Sequence, residues 1–164
     1  MNMVKCLYND VQDLECTWNG EDSELVDHLT GEHGVYLYTV TDQDRIVLEL
    51  GLDTEYSGYR YVILEFLKKN GKRTVVIFEE VFDDSCNVFK LGVRSANTTA
   101  TMYKILLQGS NSSMWYCGLT MGLEKKKDFS GHHQCLEVHK AQLNKFCYTS
   151  QNELTYKLIV SLTN

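Results

Sequence analysis

The sequence predicts a mainly β protein, an antiparallel β-sandwich of about eight strands with one helix in its second half. Short β-branched and aromatic runs alternate with clusters of Gly, Asn, Asp and Ser along most of the chain. Asn70 and Gly71 lie between two of these runs and predict a two-residue hairpin turn of type I′, which needs positive φ at both positions. Strands at hairpin spacing with few helices favour a sandwich over an α/β sheet.

The elements follow in chain order after residue 33. We predict strands at Val35–Val40, Arg45–Leu50, Tyr59–Leu67, Arg73–Glu80, Val88–Arg94, Thr101–Leu107, Met114–Thr120 and Leu154–Leu162. The one helix predicted in this part covers about Leu136–Phe146. At 164 residues the chain is long enough for this sandwich and one small additional unit.

Four residues near the N-terminus have the types and spacing of metal ligands. Cys6, Cys16, His28 and His33 read C-x9-C-x11-H-x4-H. Two thiolates and two imidazoles form a standard tetrahedral set for structural zinc. The sequence therefore predicts one structural zinc ion in a finger at residues 1–33, followed by the sandwich at residues 34–164. We expect loss of zinc to unfold the finger and to leave the sandwich largely intact.

Charge and hydropathy limit the partners and the compartment. The formal net charge is −6, and the predicted finger helix from Glu21 to His33 carries five acidic residues and no Lys or Arg. A phosphate backbone would repel this helix, so we expect no nucleic-acid partner. No run of 18 apolar residues and no leader is found, so we expect no membrane association. We expect a cytoplasmic protein with access to the nucleus, and its six cysteines to be thiols or zinc ligands.

The motifs then resemble a known family. Cys16-Thr-Trp18-Asn-Gly20, followed by His28-Leu29 and His33, resembles the second zinc finger of the seven-in-absentia (SINA/SIAH) ubiquitin ligases. The predicted strands from residue 75 to the C-terminal run resemble that family's strands in the same order. The first two ligands, however, are three residues farther apart here than in the family.

The resemblance implies a TRAF-like substrate-binding sandwich, usually a homodimer. Family members bind peptides with a Val-x-Pro core that add a strand to a sheet edge. By rough alignment, the peptide-binding residues here are Val40, Tyr61 and Ile63, where Tyr61 and Ile63 replace a tryptophan and a methionine. The implied function is an adaptor that binds peptide segments of target proteins for ubiquitin-dependent degradation.

The sequence lacks the RING of that family, which needs eight Cys and His ligands. We therefore expect no ligase activity. An alternative is a decoy that binds a signalling protein, or a competitor that forms a heterodimer with a full-length SINA ligase and blocks it. No hydrolase, P-loop or metalloprotease motif is present, which favours a binding module over an enzyme.

Other notable residues have structural interpretations that we favour. Trp18 is expected to pack the finger against the sandwich. We do not favour a second metal site built from His132, His133, His139 and Cys135, because His132 and His133 fall in a predicted loop.

Overall fold

The computed structural model describes residues 2–9, 15–52, 59–96, 100–123, 135–151 and 153–163. Within these ranges the chain is mainly β, and its two helices are short. The strands are β1 (Met3–Lys5), β2 (Asn19–Glu21), β3 (Tyr36–Thr41), β4 (Arg45–Gly51), β5 (Tyr59–Leu67), β6 (Arg73–Asp83), β7 (Val88–Ser95), β8 (Met102–Gln108), β9 (Ser113–Leu119), β10 (Leu136–His139), β11 (Cys147–Ser150) and β12 (Glu153–Thr163). The helices are α1 (Leu25–His33), preceded by a 3-10 turn at Asp22–Glu24, and α2 (Lys140–Asn144).

Two sheets face each other across the main core. Sheet 1 has the strand order β10-β7-β6-β5-β3. In sheet 2, β12 pairs with β4 on one side and with β11 and β8 on the other, and β9 pairs with β8. The inner faces of both sheets supply one cluster of buried apolar side chains, which includes Phe78, Tyr103 and Tyr156. The predicted mainly β fold with antiparallel-rich sheets is confirmed.

One strand pair departs from the predicted antiparallel arrangement. β3 runs parallel to β5, with Tyr36 opposite Val62 and Val40 opposite Phe66. The chain leaves sheet 1 after β3, forms β4 in sheet 2 and returns to sheet 1 as β5. Because the chain crosses between the sheets twice, β5 arrives beside β3 in the same direction.

The turn between β5 and β6 is longer than the predicted type I′ turn. β5 ends at Leu67 and β6 begins at Arg73, so five residues connect them. Gly71 has φ of 81°, but Asn70 is not among the residues with positive φ. The Asn70 side chain instead accepts a hydrogen bond from the Lys72 amide at 3.0 Å. This polar contact stabilises a loop that is longer than two residues. The predicted type I′ turn is therefore wrong.

The helix predicted at Leu136–Phe146 is wrong in its first part. Leu136–His139 forms strand β10 at the edge of sheet 1, and only Lys140–Asn144 is helical. Leu136 and Val138 are buried while the residues between and after them are exposed. This two-residue period matches a strand beside β7, and the helical pattern begins only where His139 caps α2 by accepting from the Ala141 amide.

Candidate metal centre

The four predicted ligands converge in the N-terminal finger. Cys6 directly follows β1, which pairs with β2, and its amide donates to the Trp18 carbonyl at 3.1 Å. His28 and His33 both lie on α1, which ends at His33 because Gly34 adopts the left-handed conformation with φ of 63°. A glycine in this conformation is a common helix C-cap. The local folding of both segments therefore orients four donor side chains toward one point.

The donor atoms lie close enough to share one ion. The Cys6 Sγ lies 3.3 Å from the His33 Nε2, and the Cys16 Sγ lies 3.4 Å from the His28 Nε2. Ligand atoms of all four residues lie within 4.8 Å of one another. The group can therefore hold a metal ion, as the sequence predicted for this set.

The electrostatics of the group favour neutral side chains at two of its four positions. Burial raises the pKa of the Cys6 thiol to about 12, and the neighbouring Cys16 also raises it. Burial and the nearby His28 lower the pKa of His33. Both shifts favour neutral side chains in the absence of a cation. A metal ion offsets the cost of a buried thiolate, and metals bind neutral imidazole.

Aromatic rings enclose the group. Trp18 stacks on His28 with ring centroids 4.5 Å apart, and Tyr8 packs on His33 at 4.3 Å. The Trp18 ring lies over Gly20, where an added Cβ would approach a ring carbon to 2.4 Å. The Trp-x-Gly pair in the sequence is thus a local packing unit, in which glycine makes room for the ring that orients a ligand.

The finger packs on the outer face of sheet 1. Its fully buried Leu25 and Leu29 belong to one apolar cluster with Ile63 of β5 and Ile77 of β6. The same cluster contains the ligand Cys6. Finger and sandwich therefore share a hydrophobic core, and two of the candidate metal ligands, Cys6 and Cys16, contact it.

Two of the three predicted peptide-binding residues lie in this shared core. Ile63 is fully buried and Tyr61 is 6% exposed. The Tyr8 ring of the finger packs edge-on against Tyr61. The Ile63 side chain leaves no surface for a peptide, whereas Tyr61 lines the cleft described below, and its role stays a prediction. Val40 is half-buried on β3 and packs against the main core, and its role stays a prediction.

A cleft that the sequence did not reveal lies beside this core. It has a volume of about 560 Å³ and is lined by Tyr36 and Tyr38 of β3, by Glu49 of β4, and by Tyr59 and Arg60 of β5. No signal in the sequence predicted it, because β3 and β4 belong to different sheets and their proximity depends on the tertiary fold.

Arg60 forms the polar floor of the cleft. Its guanidinium donates to the Gly51 carbonyl at 2.9 Å and to Glu80 at 2.8 Å. Glu80 in turn accepts a hydrogen bond from the buried Tyr156 hydroxyl. The Arg60 Nε is buried and has no hydrogen-bond partner in the described part of the chain. This donor is therefore unsatisfied, but it lies below the surface of the cleft.

The histidines and cysteine of the disfavoured second metal site do not come together in the described residues. His139 caps α2, and Cys135 is buried against Met121. His132 and His133 lie outside the described residues. Within the described ranges, one group of three or more potential metal ligands is found, and it consists of Cys6, Cys16, His28 and His33.

Neither protein-family models nor curated protein sequences match this chain. Among the described residues, no helix has the length and apolar character needed to cross a membrane. Functional assignment therefore rests on the site geometry and on the sequence resemblance.

Proposed function

We propose that the Cys6, Cys16, His28 and His33 group binds one structural zinc ion. In a tetrahedral site with Zn–S of about 2.3 Å and Zn–N of about 2.05 Å, sulfur and nitrogen are about 3.6 Å apart. The two sulfur–nitrogen distances of 3.3 and 3.4 Å need only a small adjustment to match. Thiolate and imidazole are also the donors that zinc prefers in structural sites. Four protein ligands complete the coordination, so this zinc has a structural role.

We propose further that the chain is a peptide-binding module of the SINA type with a TRAF-like sandwich. The observation that carries this proposal is the exposed edge of sheet 1 beside the tyrosine-lined cleft. β3 is the end strand of that sheet, and its Tyr36, Leu37 and Tyr38 are 73%, 43% and 43% exposed. An extended segment can pair with such an edge through its backbone and insert alternate side chains into a neighbouring cleft.

The cleft uses the two strands that alignment suggested, β3 and β5, and adds β4. Tyr36 and Tyr38 of β3 form one wall, and residues of β4 and β5, including Tyr61, also line it. Arg60 lines the cleft, and its positive charge suits a carbonyl or carboxylate of the bound segment. In this proposal the module acts as an adaptor that presents bound proteins to a ligase of the ubiquitin pathway.

The test uses a fluorescent peptide with a Val-x-Pro core and fluorescence anisotropy. We expect Tyr36→Ala combined with Tyr38→Ala to weaken binding at least about tenfold, as for aromatic interface residues. Trp115→Ala is the matched control, because Trp115 is 61% exposed on β9 and lies outside the cleft. Equal affinity of both variants would refute the cleft as the peptide site.

A second experiment with the same variants distinguishes the competitor function from the adaptor function. A full-length SINA ligase is used as the probe in a pull-down with the native chain and with the Tyr36 and Tyr38 double variant. If the chain is an adaptor, the native chain binds the Val-x-Pro peptide and the double variant does not. If both proteins retain the ligase and neither binds the peptide, the competitor function replaces the adaptor proposal.

A further inference from the structure

The finger contributes part of the wall of the cleft. Besides residues of the strands, the cleft is lined by Tyr8 of the finger, by the candidate ligand His33, and by Gly34 and Val35, which connect α1 to β3. A candidate metal ligand therefore lies at the surface where the peptide is proposed to bind. The candidate metal centre and the cleft are thus adjacent and share residues.

Tyr8 contacts three of the four candidate ligands. Its amide donates a hydrogen bond to the Cys6 Sγ at 3.4 Å, and its carbonyl accepts one from the Cys16 amide at 3.3 Å. Its ring packs on the His33 ring with the centroids 4.3 Å apart. The position of Tyr8 is therefore fixed by the same residues that would hold the ion.

The Tyr8 ring also contacts the cleft residues of β5. It meets the Tyr61 ring edge-on with the centroids 5.1 Å apart, and the Tyr61 ring stacks on that of Tyr59 at 6.2 Å. His33, Tyr8, Tyr61 and Tyr59 thus form a continuous series of aromatic contacts, and all four line the cleft. Packed side chains of this kind can carry energetic coupling between two sites.

The backbone provides a second connection between the metal centre and the cleft. His33 is the last residue of α1, and Tyr36, which forms a wall of the cleft, begins β3 three residues later. The Val35 amide donates to the Leu29 carbonyl at 3.1 Å, and the Val35 side chain is buried in the core shared by finger and sandwich. Because only Gly34 and the buried Val35 separate the two elements, the position of α1 determines where β3 begins.

Coupling between two sites requires two states that a ligand distinguishes, and here these states differ in the order of the finger. Binding of structural zinc supplies the free energy that keeps small fingers folded. With the ion bound, Tyr8 and His33 keep the positions that complete the cleft. Without it, we expect the finger to lose its fixed arrangement and the cleft to lose this wall. A ligand that contacts the wall therefore binds the metal-loaded state more tightly.

We propose that Tyr8 couples the metal centre to the cleft, so that zinc and peptide each strengthen the binding of the other. This inference rests on the proposed peptide-binding function and adds a regulation of that same site. Coupling is reciprocal, so the factor by which zinc raises the affinity for peptide equals the factor by which peptide raises the affinity for zinc. We expect a factor of about ten, since couplings between binding sites are typically about 5–150-fold.

The test measures zinc affinity by competition with a chromogenic chelator, with and without the Val-x-Pro peptide at a saturating concentration. For the native chain, we expect peptide to lower the zinc dissociation constant about tenfold. If the native chain binds the peptide in the anisotropy assay and its zinc affinity does not change, the coupling is overturned and the peptide site stands. If the native chain binds no peptide, the proposed function is refuted and this inference with it.

Two variants that each remove a ring from a candidate ligand test the role of Tyr8. Tyr8→Ala keeps all four ligands, and we expect peptide to change its zinc affinity by less than about twofold. Trp18→Ala is the matched control, because Trp18 stacks on His28 and lies outside the cleft, so the tenfold effect of peptide is expected to remain.

Tyr8→Phe keeps the ring contacts and is expected to behave as the native chain does. If Tyr8→Ala fails to bind zinc, Tyr8→Leu takes its place, since it retains an apolar side chain at this position. Coupling through unfolding of the whole chain would persist without the Tyr8 ring. An undiminished effect of peptide on the zinc affinity of the Tyr8 variant therefore overturns the proposal.

Discussion

Removal of the metal ion is expected to destabilise the whole chain. The sequence alone suggested that Cys16→Ser would unfold only residues 1–33. In the structure, the finger buries Ile63 and Ile77 of sheet 1, both of which are fully inaccessible to solvent. Full burial of one such side chain contributes about 1.5–3 kcal/mol. Uncovering both therefore removes about 3–6 kcal/mol, a large share of the roughly 5–15 kcal/mol that stabilises a typical protein.

This loss translates into a clear shift of the melting temperature. For a protein of this size, 1 kcal/mol corresponds to about 2–4 °C. We expect Cys16→Ser, or excess chelator on the native chain, to lower the temperature of the main transition by about 10 °C or more. Differential scanning calorimetry measures the transition, and a colorimetric zinc assay measures the metal content. Cys86→Ser is the matched control, since Cys86 is exposed in the connection between β6 and β7.

Two outcomes would contradict this reasoning. If Cys16→Ser shows a main transition at the native temperature, the sandwich does not depend on the finger for stability. If Cys16→Ser retains a full equivalent of zinc, the ligand assignment is wrong.

Further predictions concern the backbone at the end of α1 and a carboxyl group of β5. We expect Gly31→Ala to stabilise the chain by up to about 1 kcal/mol and Gly34→Ala to destabilise it by about 1 kcal/mol in urea unfolding. An added Cβ would contact no atom at either position, and of the two glycines only Gly34 has a positive φ. Equal changes in stability for the two variants would therefore contradict the backbone argument. Burial opposes ionisation of Glu65, but hydrogen bonds from Thr39 and Arg73 lower its pKa overall. Because the pKa is lowered in the folded protein, the ionised Glu65 stabilises the fold above the usual Glu pKa. This stabilisation is lost as the pH falls through the lowered pKa. Glu65→Gln is therefore expected to reduce stability at pH 7 and to have no effect near pH 2, and an equal loss at both values would contradict this.

Strand positions were predictable because the exposed faces leave a two-residue period in the sequence. β4 alternates buried Ile46, Leu48 and Leu50 with exposed residues, and the predicted bounds Arg45–Leu50 differ from the observed ones by one residue. The short strands β1, β2 and β11 have three or four residues and little pattern, so they were missed. The metal ligands were predictable because their residue types and spacing carry the chemistry.

The surroundings of the candidate ligands and the cleft depend on tertiary packing, which local sequence patterns do not predict. The sequence did, however, contain one sign that sheet 1 is covered on both faces. The residues from Tyr61 to Phe66 are all buried, and most of them are apolar, without the alternation of a half-exposed strand. Such a run indicates a strand covered on both faces. It excludes Ile63 from an open groove and requires some other part of the chain to cover sheet 1.

The two sheets differ in how the apolar side chains of their outer faces are covered. Each sheet has an apolar inner face that the other sheet buries, and each also carries apolar side chains on its outer face. On sheet 1 the finger covers them, and the proposed zinc ion would keep this short segment folded, since its own few apolar residues would not suffice. Sheet 2 has no corresponding cover in the described chain, and its exposed Trp115 and Val47 remain in contact with water. Loss of the metal is therefore expected to uncover the outer face of sheet 1 and to leave that of sheet 2 unchanged.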